Sequence, residues 1–340
     1  MDLRKSGTIE NIESYISRDI FNWSYGNDRF LNVVAPPFSS SKIMLEMIYS
    51  YVRSERKVLY VTEDINNIEI IEALKNEYGF KKYTLVKEDS NYDKSLLVVC
   101  SFNQLLKIKG VYSLIIFDQS KVINEISADW FINYISNNFI PKAKYIYFGI
   151  ESIFSNCKEI ILPARENLLP IVEPRFITTR IDLEKEIPFV AFDYLKWSLK
   201  EGRNVIIYAP NEEKVLHLYE YLNKLKEDLS KQIAFDLKKN MDSKNYSKNF
   251  FSKGAIIVTD NFNKSYDGLR DVDIMVFLAD DPVFSYKKLV HFCGKVGRGE
   301  RGKRAEVIFL SNSITEDMEM SKSITSGFNK EAWENNLFRY

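Results

Sequence analysis

The feature that most constrains the fold is an alternation of short apolar runs with segments of helical period. Residues 41–55 and 65–80 carry apolar residues at three- and four-residue spacing, as amphipathic helices do. The runs themselves are rich in β-branched and aromatic residues, which is typical of buried parallel strands. They are FLNVVAP (30–36), KVLYVTE (57–63), SLLVVCS (95–101), SLIIFDQ (113–119) and KYIYFGI (144–150). This alternation predicts a doubly wound α/β domain.

The same alternation resumes after a proline-rich stretch, LPARENLLPIVEPRF (162–176). Its three prolines disfavour a long helix or a central strand. We predict two domains, residues 1–160 and 176–340, joined by a connector over 161–175. Two α/β domains in series are typical of paired nucleotide-binding domains of the motor-ATPase kind. The elements predicted for the second half are helices over 189–203 and 211–229, the latter capped by Asn211, and strands over 204–210, 254–260, 272–280 and 305–311.

The composition bounds the class of protein. The chain has 340 residues, of which 45% are hydrophobic, so it is long enough for two domains that each bury a core. Lys and Arg together number 47, as do Asp and Glu. The net charge therefore does not indicate a nucleic-acid binder, and any basic surface must arise from local clustering.

Cysteines, histidines and apolar segments restrict the chemistry and the location. Cys100, Cys157 and Cys293 are far apart, and the sequence holds only two histidines. This pattern predicts no zinc site and no disulfide framework. The N-terminal MDLRKSGTIENIESY has no apolar signal segment, and no apolar run approaches the length of a membrane span. We therefore expect a cytoplasmic protein without membrane insertion.

The stretch VAPPFSSSKIMLE (34–46) has the layout of a phosphate-binding loop between a strand and a helix. Such loops hold an anion with backbone N–H groups, a lysine and a helix N-terminus. Lys42 stands where that lysine belongs. The stretch has no glycine, since Phe38 and Ser41 stand near the glycine positions, and Ile43 replaces the hydroxyl residue that binds magnesium. Two interpretations stay open from these residues alone: a serine N-cap of an ordinary helix, or a phosphate loop.

A second candidate site is LIIFDQS (114–120), where Asp118 ends a predicted strand. An aspartate at this place opposite a phosphate loop binds magnesium, and a following glutamate activates water. Gln119 replaces that glutamate, and an amide can position water but cannot act as a strong base near neutral pH. The alternative for Asp118 is a structural cap at the end of the strand.

A basic segment follows a short helical pattern in the second half. Between Lys287 and Arg304 there are seven Lys or Arg residues and one acid, Glu300. One interpretation is a solvated basic turn. The other is a cation presented to a phosphate or to a nucleic-acid backbone. The Lys-rich segment 224–253 is a further stretch that either stays solvated or contacts DNA.

This basic segment resembles the Q-x-x-G-R-x-G-R motif of superfamily 2 helicases. More narrowly, the sequence resembles ComFA, the competence helicase-like ATPase of Gram-positive bacteria, itself similar to PriA. The likeness covers nearly the whole chain from residue 30 onward. It is carried by LPARENLLPIVEPRF (162–176), DVDIMVFLADDPVFSYKKLVHFCGKVGR (271–298) and SITEDMEMSKSITSGFNKEAW (313–333).

The resemblance implies a fold, ligands and partners. The fold would be α/β, with two RecA-like doubly wound parallel-sheet domains in tandem. The ligands would be ATP and magnesium, without zinc. The partners would be single-stranded DNA and other competence proteins, through which a cytoplasmic protein could lie at the inner face of the membrane.

The resemblance also implies roles for individual residues. Asp118 would bind magnesium beside Gln119, and Arg298 would be the arginine finger. Ser101, in VVCSFNQLL, and Thr259 would lie in DNA-contacting motifs. Nucleotide-binding roles would fall on Ser40, Ser41, Lys42 and Lys295. Basic contacts to nucleic acid would fall on Lys287, Lys288, Arg301 and Arg304.

Several departures from the family pattern occur together. The phosphate-loop glycines and the catalytic glutamate are absent, and the zinc module of the family has no counterpart. The Ser-Ala-Thr coupling motif is replaced by residues 149–151, and the Arg-Gly after Thr259 by Ser265 and Tyr266. Lys295 stands for a motif arginine, whose planar bidentate contact a lysine cannot reproduce. These changes favour a protein that has lost much or all of its ATPase activity.

Three hypotheses follow from the sequence. The leading one is a ComFA-like protein of DNA uptake or processing that binds single-stranded DNA with lost or weakened ATP hydrolysis. The first alternative is an active DNA-dependent ATPase or translocase with an unusual phosphate loop. The second is a protein–protein scaffold without nucleic-acid binding.

Overall fold

The computed structural model describes residues 9–65, 68–87, 94–121, 126–138, 140–225, 229, 233–239, 254–264, 266, 271–298 and 305–338. The chain divides into two compact units. The first unit comprises residues 1–168 together with 328–340, and the second comprises residues 169–327. Within the described ranges, no helix is both long and apolar enough to cross a membrane.

The first unit contains a parallel sheet whose strands have the order β3-β4-β2-β5-β6-β1-β7. All of its neighbouring strands pair in parallel. The carboxyl ends of these strands therefore share one edge of the sheet. The strands are β1 (Phe30–Val34), β2 (Val58–Thr62), β3 (Tyr83–Leu85), β4 (Leu97–Cys100), β5 (Leu114–Asp118), β6 (Lys144–Gly149) and β7 (Lys158–Ile161).

Helices pack on both faces of this sheet, as doubly wound folds require. A short 3₁₀ turn, Ser41–Met44, precedes the second helix. The third helix ends at Gly79, whose φ of 62° is the left-handed conformation typical of a helix C-cap. The helices are α1 (Ile9–Tyr25), α2 (Leu45–Arg53), α3 (Glu69–Tyr78), α4 (Phe102–Leu105) and α5 (Ala128–Asn137).

The central strands of the first sheet are buried on both faces, because successive side chains point to opposite sides and each side packs against helices. Val58 and Tyr60 of β2 pack in the core formed with α1, α2 and α3. Leu59 and Val61 of the same strand pack in a second core, rich in aromatic rings. In that second core, Phe131 of α5 makes edge-on contacts with several neighbouring rings. This two-sided burial explains why the strands appear as continuous apolar runs in the sequence.

The second unit has its own parallel sheet, of order β10-β11-β9-β12-β13-β8. Pro174 begins β8 at the edge of this sheet, where a missing N–H costs no ladder hydrogen bond. The strands are β8 (Pro174–Thr178), β9 (Asn204–Tyr208), β10 (Ile233–Asp236), β11 (Ile256–Thr259), β12 (Val272–Phe277) and β13 (Val307–Ser311). The helices are α6 (Phe189–Lys200), α7 (Glu212–Lys224), α8 (Tyr286–Lys295) and α9 (Glu316–Glu334).

The fold class predicted from the sequence is confirmed: two parallel sheets alternate with helices. The predicted N-cap is confirmed too, since the Asn211 side chain accepts a hydrogen bond from the Lys214 N–H. The edge strands β3, β7, β8 and β10 were not predicted. Most of their residues are exposed or only partly buried, so these strands lack the continuous apolar pattern of a central strand.

Candidate functional site in the first unit and the basic helix of the second

The predicted phosphate loop follows β1 at the carboxyl edge of the first sheet. Phe38 adopts a φ of 66°, the left-handed region that favours glycine, near a glycine position of the predicted phosphate loop. Its N–H donates to the Ser120 carbonyl at 2.7 Å, which attaches the loop to the residues after β5. The Ser39 hydroxyl donates to the Pro36 carbonyl at 2.8 Å. The loop is therefore a tight turn held by its own chain.

Ser40 is the N-cap of the 3₁₀ turn that leads into α2. Its hydroxyl oxygen accepts a hydrogen bond from the Lys42 N–H at 3.2 Å. Ile43, at the position where a phosphate loop places its magnesium-binding hydroxyl, is 3% exposed and belongs to the hydrophobic core. Ser40 thus caps a helical turn and also lies in the predicted phosphate loop. The same residues therefore fit both interpretations made from the sequence.

A carboxylate lies against this loop. Glu69, the first residue of α3, accepts hydrogen bonds from the Ser40 hydroxyl at 2.7 Å and from the Ser41 backbone N–H at 3.3 Å. The Lys121 ammonium lies 2.8 Å from one Glu69 oxygen, and the Lys42 ammonium 3.6 Å from the other. Burial raises the pKa of Glu69, but hydrogen bonds from Lys121 and Ser40 and the charges of both lysines outweigh it. The pKa therefore lies below its ordinary value, and the carboxylate is ionised at neutral pH.

Asp118 ends β5 and is buried. One carboxylate oxygen accepts hydrogen bonds from the N–H and the hydroxyl of Ser120, at 2.9 Å and 2.7 Å. The other accepts a hydrogen bond from the Tyr60 hydroxyl. Burial raises the pKa of Tyr60 well above its ordinary value, and the charge of Asp118 and its hydrogen bond raise it further. The phenol therefore keeps its proton, and both Asp118 oxygens are engaged within the protein.

Gln119 lies beside Asp118 and is also buried. Its side-chain oxygen accepts a hydrogen bond from the Tyr147 hydroxyl at 3.0 Å, and its backbone N–H donates to the Phe148 carbonyl at 2.8 Å. Among the described residues, the buried side-chain amide nitrogen of Gln119 has no hydrogen-bond partner. It is thus a donor group enclosed in the protein, with no acidic or basic function near neutral pH.

These residues do not fit a magnesium–ATP complex. The donors of the loop converge on Glu69, and the two Asp118 oxygens accept from Tyr60 and Ser120. Ile43 offers no ligand atom. Across the described part of the chain, no group of three or more His, Cys, Asp or Glu side chains could hold a metal ion.

Ser101 lies at the same edge of the first sheet, after β4. It forms a capping box with Gln104: the Gln104 N–H donates to the Ser101 hydroxyl at 3.3 Å, and the Ser101 N–H donates to the Gln104 side chain at 2.9 Å. The Glu63 carboxylate also accepts from the Phe102 N–H at 3.1 Å. The Ser101 hydroxyl therefore serves the start of α4, and its predicted contact with DNA stays a prediction.

In the second unit, Lys295 ends α8 and ties neighbouring elements together. Its ammonium donates to the Tyr208 hydroxyl at 3.1 Å, the Phe262 carbonyl at 2.5 Å and the Lys264 carbonyl at 3.1 Å. An ammonium carries three N–H donors. The Lys295 ammonium thus donates hydrogen bonds to the loop after β11 and to β9. Its predicted contact with nucleotide stays a prediction.

The other predicted basic residues in and after α8 differ in exposure. Lys288 is buried, donates to the Val283 carbonyl at 2.5 Å, and has a pKa lowered by burial. Lys287 is half-buried, with its ammonium 5.9 Å from the centre of the Tyr286 ring. Arg298, just after the helix, is exposed. Arg301 and Arg304 lie outside the described residues.

Thr259, at the end of β11, is fully buried, and its hydroxyl accepts a hydrogen bond from the Asn261 N–H at 3.0 Å. Asp236 ends the neighbouring strand β10. It accepts from the Tyr266 hydroxyl at 3.2 Å and lies 2.8 Å from the Lys264 ammonium. Thr259 and Asp236 therefore organise a polar edge of the second sheet, beside the loop that Lys295 holds.

The structure brings together residues that the sequence analysis did not single out. Glu69 accepts hydrogen bonds from the loop and from Lys121. Tyr60 donates to Asp118, and Tyr147 donates to Gln119. An acid in the first turn of a helix is common because it complements the helix dipole, so Glu69 carried no distinctive signal. The two tyrosines lie inside apolar strands, where packing is the expected role.

Comparison with solved structures identifies the fold. The chain aligns with S. cerevisiae Dbp5 bound to RNA and ADP BeF3 at a TM-score of 0.56 and 12% identity, over 94% of this chain and 92% of that one. It aligns with RecG bound to a three-way DNA junction at a TM-score of 0.53 and 12% identity, over 96% of this chain and 46% of that one. It aligns with the DUF1998 helicase MrfA bound to DNA and AMPPNP at a TM-score of 0.53 and 13% identity, over 92% of this chain and 50% of that one.

The chain thus spans about half the length of the RecG and MrfA chains. No family model matches the sequence, and no curated protein matches it. At such low identities the likeness shows the fold. The chain has two tandem RecA-like domains, with parallel sheets of seven and six strands.

Proposed function

We propose that this chain is a helicase-fold protein that binds single-stranded DNA and does not hydrolyse ATP. Its role would be ComFA-like, in DNA uptake or processing in the cytoplasm, as a binding subunit beside other competence proteins. The proposal combines the fold with the chemistry of the first unit, where the groups needed for hydrolysis are replaced or engaged.

The observation that carries the loss of hydrolysis is the arrangement of Asp118 and Gln119. ATP hydrolysis on this fold needs a carboxylate open to magnesium and a group that orients or activates water. Here Tyr60 and Ser120 occupy both oxygens of Asp118, and Tyr147 binds the side chain of Gln119. An amide enclosed in this way cannot accept a proton from water near neutral pH.

The nucleic-acid part of the proposal is supported by the fold and by local charge. The structural neighbours Dbp5, RecG and MrfA were solved with RNA or DNA. In this chain seven basic residues cluster in sequence between Lys287 and Arg304. Lys288 and Lys295 donate within their own unit, whereas Lys287 is half-buried and Arg298 is exposed. Lysine and arginine bind the phosphate backbone, so binding of this kind is electrostatic and independent of sequence.

The first test is ATP turnover. We expect no magnesium-dependent ATP hydrolysis by the purified chain, with or without single-stranded DNA, and the same background rate for Lys42→Ala. A coupled phosphate-release assay measures this. Steady turnover that DNA stimulates and that Lys42→Ala abolishes would show instead an active ATPase with an unusual loop.

The second test is DNA binding, followed by fluorescence anisotropy of a labelled oligonucleotide. We expect the affinity to fall steeply between about 50 and 200 mM salt, because bound phosphates release counterions. Reversing the charges of Lys287, Arg301 and Arg304 to Glu should flatten the slope of log affinity against log salt by roughly two units.

The matched control for this test changes the same number of charges in the second unit. Lys185, Lys196 and Lys200 are exposed, and their replacement by Glu should leave the salt slope at its wild-type value. An equal loss in both triple variants would show that net charge rather than the basic segment attracts DNA. No binding at low salt would favour a protein–protein scaffold.

A further inference from the structure

The donors around Glu69 are of the kinds with which a phosphate loop holds phosphate. They comprise a backbone N–H at the start of a helical turn, a serine hydroxyl and lysine ammonium groups. In this chain Ser41, Ser40 and Lys121 supply them at 3.3, 2.7 and 2.8 Å from the Glu69 carboxylate. The Lys42 ammonium completes the set at 3.6 Å. One internal anion therefore receives the contacts that an external one would need.

The carboxylate is held from several sides and is largely removed from solvent. The Glu69 side chain is 22% exposed and that of Lys121 is 25% exposed, whereas that of Lys42 is 56% exposed. Glu69 begins α3, and its side chain reaches across to residues 29 positions earlier and 52 positions later in the chain. This is a tertiary arrangement that connects α3, the loop and the end of β5.

A nucleotide phosphate could not share this place with an ionised carboxylate. Two anions on the same donors repel each other. A bound phosphate would have to displace Glu69 and leave it to find new partners. The arrangement therefore excludes external anions for a reason separate from the changes at Ile43 and Gln119.

We propose that Glu69 is an internal substitute for phosphate, which keeps the loop formed without nucleotide and closed to nucleotide. The proposal rests on the proposed function and deepens it: the chain would not only fail to hydrolyse ATP but also fail to bind it, and one side chain would be the cause. It predicts that the loop donors are still competent, and that removing the Glu69 charge uncovers a site for phosphate anions such as those of ATP.

The test is Glu69→Gln, which keeps the shape of the side chain and removes its charge. We expect the variant to bind fluorescent ATP at least about tenfold more tightly than the wild type, because the like-charge repulsion is gone. Inorganic pyrophosphate should compete for the same site. The gain should disappear in the double variant with Lys42→Ala, and its persistence there would overturn the proposal by placing the anion elsewhere.

The matched control is Glu72→Gln. Glu72 is also an acid in the first turn of α3, but it is exposed, so its replacement makes the same charge change on the same helix. ATP binding by this variant should equal that of the wild type. An equal gain in both variants would overturn the proposal, because it would show a general effect of charge.

A second variant covers the case in which Glu69→Gln fails to fold. Glu69→Asp keeps the charge but shortens the side chain by one methylene, so it cannot reach the loop and Lys121 together. We expect it to bind ATP about threefold more tightly than the wild type. The shorter carboxylate makes fewer contacts with the loop and Lys121, so a phosphate displaces it more easily. Binding equal to that of the wild type would overturn the proposal.

The outcomes separate the two proposals. If neither the wild type nor the Glu69 variants bind ATP while DNA binding persists, the proposed function stands and the role of Glu69 fails. If the wild type binds magnesium–ATP as tightly as Glu69→Gln and hydrolyses it, both fail. We do not expect hydrolysis in Glu69→Gln, because Ile43 and Gln119 are unchanged.

Discussion

At the scale of single residues, Gly149, Tyr147 and Gln119 depend on one another for space and hydrogen bonding. Gly149 ends β6, and a Cβ atom built there would lie 2.8 Å from the hydroxyl and ring atoms of Tyr147. That hydroxyl in turn donates to Gln119. The glycine thus makes room for a tyrosine that binds the buried side chain of Gln119. Gly149, Tyr147 and Gln119 therefore form one packed group.

The packing of this group predicts how one methyl group added at Gly149 changes the stability of the protein. Gly149→Ala should destabilise the protein by about 1–3 kcal/mol, because the buried Tyr147 must shift to avoid the new atom. Gly327→Ala is the control. Among the described residues, nothing lies within 4 Å of a Cβ atom added at Gly327 in α9, so replacing this helical glycine should stabilise the protein by about 0.5–1 kcal/mol. Urea unfolding measures both, and equal stability of Gly149→Ala and the wild type would contradict this packing.

At the scale of elements, α8 is more a structural support than a solvated basic helix. Lys288 and Lys295 donate to carbonyl groups of their own unit. His291, which lies between them in the sequence, is buried. Burial lowers the pKa of His291 to about 3, with smaller effects from the charges of Lys295 and Lys287. The helix therefore keeps a neutral imidazole in the second unit over the whole physiological pH range.

The buried imidazole predicts a pH dependence of stability. In the unfolded chain a histidine titrates near 6.5, so below that pH the unfolded state takes up a proton that the folded state cannot. The stabilisation is complete above pH 6.5 and is lost as the pH falls towards 3. Between pH 7.5 and 5.5 the free energy of unfolding should fall by about 1.4 kcal/mol.

The two histidines of the chain make this effect separable. His291→Gln should remove most of the fall in stability between these pH values. His217→Gln should retain it, because His217 is exposed on α7. Urea midpoints at both pH values measure the difference. An unchanged fall in His291→Gln would show that another group causes it.

At the scale of the whole molecule, the two sheets are built alike, but the first unit is not continuous in sequence. Residues 328–340 belong to it, although the preceding residues 169–327 form the second unit. Ala332 and Leu337 lie in the same hydrophobic core as α1, α2 and β1. The C-terminal segment is therefore part of the first core rather than an appendage.

Removal of this segment should destabilise the first unit. A chain ending at Gly327 lacks Leu337 and Phe328, which are 5% and 6% exposed, so the loss should be at least about 3 kcal/mol. Urea unfolding followed by circular dichroism should show an earlier first transition. In the full chain, Glu334→Ala changes an exposed residue of the same segment and should leave that transition in place. An unchanged transition in the shortened chain would contradict the assignment.

The sequence by itself determined the architecture, because buried strands and amphipathic helices each produce a local pattern of apolar residues that can be recognised within a short segment. It also placed the loop at 34–46 and showed that Ile43 and Gln119 lack the expected chemistry. Only the tertiary structure decided what replaces that chemistry. Parallel strands bring their carboxyl ends to one edge, so Tyr60 meets Asp118 across 58 residues and Glu69 meets Lys121 across 52. No local pattern records such contacts, because each joins residues that only the folded sheet makes neighbours.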